Sequence, residues 1–198
     1  LAKGPNVMTG YFNNEEATKE AIDSDGWFHT GDIGHLDEGG FLFITDRKKN
    51  ILVTSAGKNV APAPMENALT NSPFIEQVVI LGDKRNFISA LIVPAQEAVA
   101  NELSSQGKSV SENDIMSDHP DVKAIIQKEV DGVMEGFSNY ERVKEFSILP
   151  RLFTIDDGEL TPTLKVVRKV VLDHFSDAVE KNYSGSPQKT EDVEPALP

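Results

Sequence analysis

Apolar residues along the chain follow two rhythms. Val122, Ile125, Ile126, Val130, Val133, Met134 and Phe137 recur at close to 3.6-residue spacing, the period of a helix with one buried face, and predict a helix over 120–137. The same spacing in Val167, Val170, Val171, Phe175, Ala178 and Val179 predicts a final amphipathic helix. Shorter helices are expected over 13–22, where Asn14 can cap the first turn, from Pro62 through 65–69, over 95–104 and over 111–117. The second rhythm is β-like. Runs at 75–81 and 87–93, rich in Val and Ile, flank the five residues Gly82-Asp83-Lys84-Arg85-Asn86 and predict an antiparallel hairpin. Residues 31–36 and 41–45 predict another around Asp37-Glu38-Gly39-Gly40, and 51–53 and 146–149 read as further short strands.

These elements define an α+β architecture. A small, mostly antiparallel sheet made from 51–53, 75–81, 87–93 and 146–149 is expected to pack against flanking helices. Ahead of it, residues 1–46 are punctuated by turns at Gly4-Pro5, Asn13-Asn14, Asp25-Gly26 and Gly39-Gly40, and form a short β-rich segment too small for a large core of its own. Residues 160–165 are a polar loop. The tail, 184–198, holds Ser, Pro, Gln and Glu with little apolar content and is expected to be disordered.

Charge narrows the function classes. Lys and Arg total 19 against 32 Asp and Glu, a formal charge of −13. A broad nucleic-acid surface is therefore not expected, because phosphate binding needs concentrated positive charge. With no cysteine there are no disulfides, thiolate metal sites or cysteine nucleophiles. No apolar run reaches transmembrane length. The opening Leu1-Ala2-Lys3-Gly4-Pro5 lacks an initiator Met and a signal-like core, as in a piece of a longer chain.

Common signatures fail on inspection. Ala56-Gly57-Lys58-Asn59 is superficially like a P-loop, but the earlier glycine is absent and Asn59 stands where Ser or Thr should hold magnesium. Asp23-Ser24-Asp25-Gly26 starts like a calcium loop without the later acidic positions. His29, His35, His119 and His174 are scattered without metal spacing, so no metal site is expected.

What remains is an ordered set of polar segments. Gly4-Pro5-Asn6-Val7-Met8-Thr9-Gly10-Tyr11 comes first, then Gly26-Trp27-Phe28-His29-Thr30-Gly31-Asp32. Asp46-Arg47-Lys48-Lys49-Asn50-Ile51-Leu52 follows, then Gly57-Lys58-Asn59-Val60-Ala61-Pro62 with Glu66, and finally Leu160-Thr161-Pro162-Thr163-Leu164-Lys165. In this order and at these separations the set resembles the adenylate-forming (AMP-binding) superfamily over roughly residues 1–180. The forms Asp-Arg-Lys-Lys and Leu-Thr-Pro-Thr-Leu-Lys, with the helical region at 95–138, are most similar to its long-chain fatty acid–CoA ligases. Pro64 and His29 depart from residues common in other branches.

The resemblance implies a chemistry. Such enzymes use ATP with magnesium to convert a carboxylate to an acyl-adenylate, then transfer the acyl group to CoA. By resemblance Lys165 is the catalytic cation bridging the carboxylate and the nucleotide. Asp32 and Arg47 are the ribose-contacting pair, Lys49 the hinge on which the small C-terminal domain turns, Gly57 the glycine beside the pantetheine tunnel, and Lys58 a cation toward the CoA phosphates. Glu66 fits a structural acid. Taken one at a time these are ordinary features: a solvated lysine, a turn aspartate, a surface ion pair, the end of a basic run, a turn glycine. The implied organisation is the end of a large N-terminal AMP-binding domain at 1–46, a hinge at 47–50 and the mobile C-terminal domain at 51–183. The phosphate loop, adenine pocket and acyl tunnel would precede residue 1, leaving the piece alone inactive. Fatty acid and CoA are the implied substrates, and the implied location is cytoplasmic, peripheral at membranes where fatty acids reside. Another acyl- or aryl-CoA ligase, or a non-catalytic module reusing the fold, shares these motifs.

Overall fold

The computed structural model describes residues 1–184. A first helix, α1 (Glu15–Ala21), starts where Asn14 accepts a 3.0 Å hydrogen bond from the Ala17 amide. Strands β1 (Asp32–Leu36) and β2 (Leu42–Arg47) form an antiparallel ribbon with a bulge at Ile33/Gly34. Asp37 fixes its turn by accepting from the Phe41 amide at 2.8 Å. Gly34 is required there, since an added Cβ would lie 2.4 Å from the Phe43 carbonyl.

After β2 the chain passes through a single 3₁₀ turn, Lys48–Asn50, into β3 (Leu52–Val53), which pairs with β4 (Asn59–Val60). Helix α2 (Pro62–Thr70) opens on proline and buries Met65 and Leu69. Then come β5 (Ile75–Leu81) and β6 (Ile88–Pro94), the helices α3 (Gln96–Ser105), α4 (Glu112–Ile115) and α5 (Pro120–Met134), strand β7 (Val143–Ile148), and the helices α6 (Arg168–His174) and α7 (Ser176–Tyr183).

The main sheet has the order β5-β6-β7. Every residue of β6 is buried. Its alternate side chains serve two cores. Ile88, Ala90 and Ile92 pack with Val78, Ile80, Phe146 and Ile148 against Met65, Leu69, Val99, Val122, Ile126 and Val130 from α2, α3 and α5. Leu91 and Val93, with Val79 and Leu81, face Leu149, Phe153, Val171, Phe175 and Val179 on the side of α6 and α7. A sheet covered on both faces needs apolar residues at successive positions, which is why these strands read as continuous runs instead of alternating ones.

The α+β class is as expected, and among the described residues three of the four strand pairings are antiparallel. Two details differ from the sequence reading. Residues 51–53 do not enter the main sheet. The strand is only two residues long and turns back at once onto β4; the ribbon docks instead on the β5–β6 connection, through Lys84 N to Val53 O (2.7 Å) and Ser55 N to Arg85 O (2.9 Å). Strand β7 runs parallel to β6, which the long α3–α5 crossover permits. Smaller shifts have local causes. The 120–137 helix ends at Met134. The expected last helix breaks at Phe175 (φ −111°, ψ 31°), whose ring packs edge-on against Phe153 at 5.9 Å. The tail reading falls on residues 185–198, outside the described part. No described helix is long and apolar enough to cross a membrane.

Because β6 feeds both cores, Ile92→Ala should lower unfolding free energy by about 2–5 kcal/mol. Val53→Ala, at a side chain 44% exposed, should cost under about 0.5 kcal/mol. Urea titration of the two variants checks the contrast, with an unchanged slope.

Candidate functional site

Asp32 and Arg47 close the open end of the β1–β2 ribbon as directly opposed residues. Arg47 Nε lies 3.0 Å from Asp32 Oδ1. Among the described residues Asp32 Oδ2 has no partner, so an acceptor oxygen is left over. The preceding Gly31 has φ +73°, and its carbonyl accepts from the Lys48 amide at 2.7 Å, which ties the start of β1 to the 3₁₀ turn. Lys49 lies within that turn, exposed.

The turn is held by a residue to which the sequence alone assigned no role. Asp46 is 7% exposed. Its Oδ1 accepts from the Arg47 amide (2.6 Å) and from Asn50 Nδ2 (3.2 Å), and its Oδ2 accepts from the Ala63 amide in the first turn of α2 (3.2 Å). A carboxylate at a helix N-terminus satisfies an otherwise orphaned N–H and complements the helix dipole. Its only sequence signal is an acid heading a basic cluster, which has no periodicity.

Gly57 sits in the β3–β4 turn with φ +72°, and no atom would meet an added Cβ within 4 Å. Glycine is therefore demanded by the left-handed backbone. The turn is stitched by Thr54, whose Oγ1 accepts from the Lys58 amide at 3.1 Å. The Lys58 ammonium stands 5.7 Å from the centre of the Tyr140 ring, within cation–π range. Glu66 is structural: its Oε1 accepts from the Ile80 amide (2.8 Å) and pairs with Arg168 Nη2 (2.6 Å), while Arg168 also donates to the Ile80 carbonyl.

Lys165 lies on a miniature hairpin. Leu160 bridges Val166, the Thr161 amide donates to the Lys165 carbonyl (2.8 Å), and the Lys165 amide donates to Thr161 Oγ1 (3.1 Å). The tip needs Leu164 at φ +59°. The Lys165 ammonium is exposed and has no hydrogen-bond or ion-pair partner among the described residues. The structure thus joins Asp32 to Arg47, and no direct bond links Lys165 to either. At the hairpin's base Glu159 is fully buried and forms two 2.7 Å bonds with Arg151 and one of 2.9 Å with His174 Nδ1. The Arg151 guanidinium, aided by His174 and the Thr154 amide, holds the Glu159 carboxyl down to about 2. The Glu159 carboxylate in turn raises the Arg151 pKa. No group of three or more His, Asp or Glu side chains among the described residues is arranged to hold a metal ion.

Fold and site together define a small α+β domain, joined by a one-turn linker to a ribbon bearing an Asp–Arg pair and displaying an unpaired lysine on a braced hairpin. Residues 49–187 match the model of the AMP-binding enzyme C-terminal domain, and the chain belongs to that family. It is 47% identical over 186 residues to the long-chain-fatty-acid–CoA ligase FadD15 of Mycobacterium tuberculosis, covering 93% of this chain and 31% of that protein. It is 37% identical over 184 residues to human long-chain-fatty-acid–CoA ligase 6, covering 92% and 26%. Among solved structures, the A-PCP didomain of carboxylic acid reductase from Segniliparus rugosus, in complex with AMP, superposes with a TM-score of 0.74 at 29% identity, over 92% of this chain and 24% of that one. The chain thus spans a third or less of the length of these relatives.

A carboxyl held below its ordinary value of 4.5 stabilises the fold fully above that value and loses its contribution as pH falls from there toward 2. The melting temperature should therefore drop across that window. The drop should be smaller in Glu159→Gln, which has no carboxyl to titrate; calorimetry on both proteins between neutral pH and pH 2 tests it.

Proposed function

We propose that this chain is the C-terminal part of a long-chain fatty acid–CoA ligase. Such an enzyme forms fatty acyl-adenylate from ATP and then passes the acyl group to CoA. The observation that carries this reading is the free Lys165 ammonium on a braced hairpin, in a chain whose nearly full length is 47% identical to a ligase of that name. ATP enters as its magnesium complex.

In the first step a fatty acid carboxylate oxygen attacks the α-phosphorus of ATP, and pyrophosphate leaves. Two anions must approach, and charge builds on the phosphoryl oxygens. An ammonium between them offsets the repulsion and is worth most where charge develops. Lys165 supplies it. Asp32 accepts from the ribose hydroxyls through its free Oδ2, while the half-exposed Arg47 side chain pairs with the other oxygen. In the second step the CoA thiol sulfur, having lost its proton, attacks the acyl carbonyl carbon and AMP leaves. Gly57 gives the pantetheine arm a path past a backbone without a side chain, and Lys58 meets the CoA phosphates. Between the steps the C-terminal domain, 51–183, turns at the 47–50 linker about Lys49 against the preceding AMP-binding domain, of which 1–46 is the end. The setting is the cytoplasm, with peripheral contact at the membranes that hold fatty acids. A ligase for a shorter or aromatic acid would use the same residues; rates with palmitate against benzoate distinguish the two.

In the complete ligase, Lys165→Ala should slow acyl-adenylate formation on the order of 100-fold or more, while transfer to CoA from supplied adenylate persists. Equal losses in both steps would mean that Lys165 serves the fold alone. Proline at 49 suits the 3₁₀ geometry, whose φ matches the ring's about −65°, although it disfavours the helical conformation of Lys48. Lys49→Pro should therefore freeze the linker. One half-reaction should continue near its normal rate and the other fall by orders of magnitude, whereas Lys49→Ala should leave both nearly intact. If Lys49→Pro, with an unchanged melting curve, runs both steps at wild-type rates, the pivot lies elsewhere.

A further inference from the structure

A carboxylate with no exposed surface is rare unless its charge is met on every side. Glu159 is met by Nη1 and Nη2 of Arg151, by His174 Nδ1 and by the Thr154 amide, the last at 3.1 Å. These partners come from three places: the segment just after β7, helix α6, and the loop that Glu159 itself ends. The backbone of Glu159 is bonded as fully as its side chain. Its amide donates to the Thr154 carbonyl at 3.1 Å, and its carbonyl accepts from the Val167 amide at 2.7 Å. That last bond closes the hairpin on which Lys165 stands, one rung below the Leu160–Val166 bridge. The opposite strand of the hairpin leads directly to Arg168, clamped to Glu66 and the β5 backbone.

We propose that Glu159 is a positioning residue for Lys165: a buried carboxylate that locks the base of the lysine's hairpin to the segment after β7 and to α6, so that the ammonium is offered in one place. A lysine side chain is long and free to rotate, and only its backbone can be fixed from inside the domain. The hairpin is short and exposed at its tip, with Leu164 at positive φ. Without the anchor it would sample other positions, and a displacement of about 1 Å at a reacting group costs on the order of 100-fold in rate. The Arg151 fork makes the anchor directional, since two parallel bonds fix the carboxylate plane as well as its distance. Arg151 is held in turn over the Phe175 ring at 5.0 Å, at the break between α6 and α7.

This inference rests on the role given above to Lys165, and a double-mutant cycle in the complete ligase separates the two. Glu159→Gln keeps the shape and removes the charge. It should slow acyl-adenylate formation on the order of 10- to 100-fold and leave acyl transfer to CoA from supplied adenylate within about twofold of wild type. Added to Lys165→Ala, it should cost almost nothing further in adenylate formation, because a residue acting through Lys165 has nothing left to act on. Full additivity, or equal losses in both half-reactions, would show a purely structural carboxylate and overturn the proposal. Wild-type adenylation by Glu159→Gln with an impaired Lys165→Ala overturns the proposal and spares the role of Lys165. Wild-type adenylation by Lys165→Ala overturns both. Should Glu159→Gln fail to fold, His174→Ala removes one exposed partner of the same carboxylate and should give a smaller loss confined to adenylate formation; no loss, or loss in both steps, again overturns the proposal.

Discussion

The double-sided burial of β6 is the constraint on which the rest of the structure depends. Because Ile88, Ala90 and Ile92 belong to one core and Leu91 and Val93 to the other, helices must cover both faces. That requirement sets where the functional segments emerge. The β3–β4 turn with Gly57 and Lys58 leans on the β5–β6 connection. The Lys165 hairpin leaves from the end of β7 and returns to α6, which closes the second face. Even the polar residues of the sheet obey the constraint: Ser89 and Ser147, both buried, bond to Tyr183 and Asn182 of α7 at 2.8 and 2.7 Å. No buried side-chain polar atom among the described residues lacks a partner.

Three carboxylates carry this scaffold outward to the site. Asp46 joins the linker to α2, Glu66 joins α2 to β5 and α6, and Glu159 joins the Lys165 hairpin to α6 and the end of β7. Asp46 and Glu159 are buried, where an unpaired charge is costly, and Glu66 is partly so; each is held by partners in a fixed geometry. Apolar packing tolerates small slides, whereas a carboxylate shared among two or three donors does not. It is therefore suited to hold a loop whose outer face is left bare for a ligand.

The elements that the sequence disclosed were those whose signal is local. Helix α5 announced itself by periodicity, α1 by Asn14, α2 by its prolines, and the β5–β6 hairpin by two apolar runs around a turn. The candidate chemistry was legible as motifs, and the opposed placement of Asp32 and Arg47 gives two of those residues a common geometry. Strand direction was not legible: nothing in Val143–Ile148 encodes parallel pairing, which the long crossover allows but does not dictate. Nor was the isolation of β3, which depends on what the following five residues do. The break at Phe175 comes from packing of its ring in the second core, while the apolar spacing runs through it unaltered. Asp46 and Glu159 were overlooked as anchors for a related reason. An interior carboxylate is defined by partners distant in sequence, and its own neighbourhood reads as an ordinary polar loop.

Charge gives the site its final shape. The chain carries −13 overall, and such a field opposes the approach of any anionic ligand. Screening limits that opposition to about 8 Å at physiological ionic strength. Inside that distance the groups that matter are the few cations presented by the loops. Arg47 is steered by Asp32, Lys58 stands over the Tyr140 ring, and Lys165 makes no ion pair among the described residues. A paired lysine would have part of its charge cancelled before any anion arrived. In so acidic a chain a lysine keeps its full charge only where its ammonium makes no ion pair, and a hairpin whose backbone is fastened from within holds Lys165 in place without lending its ammonium a partner.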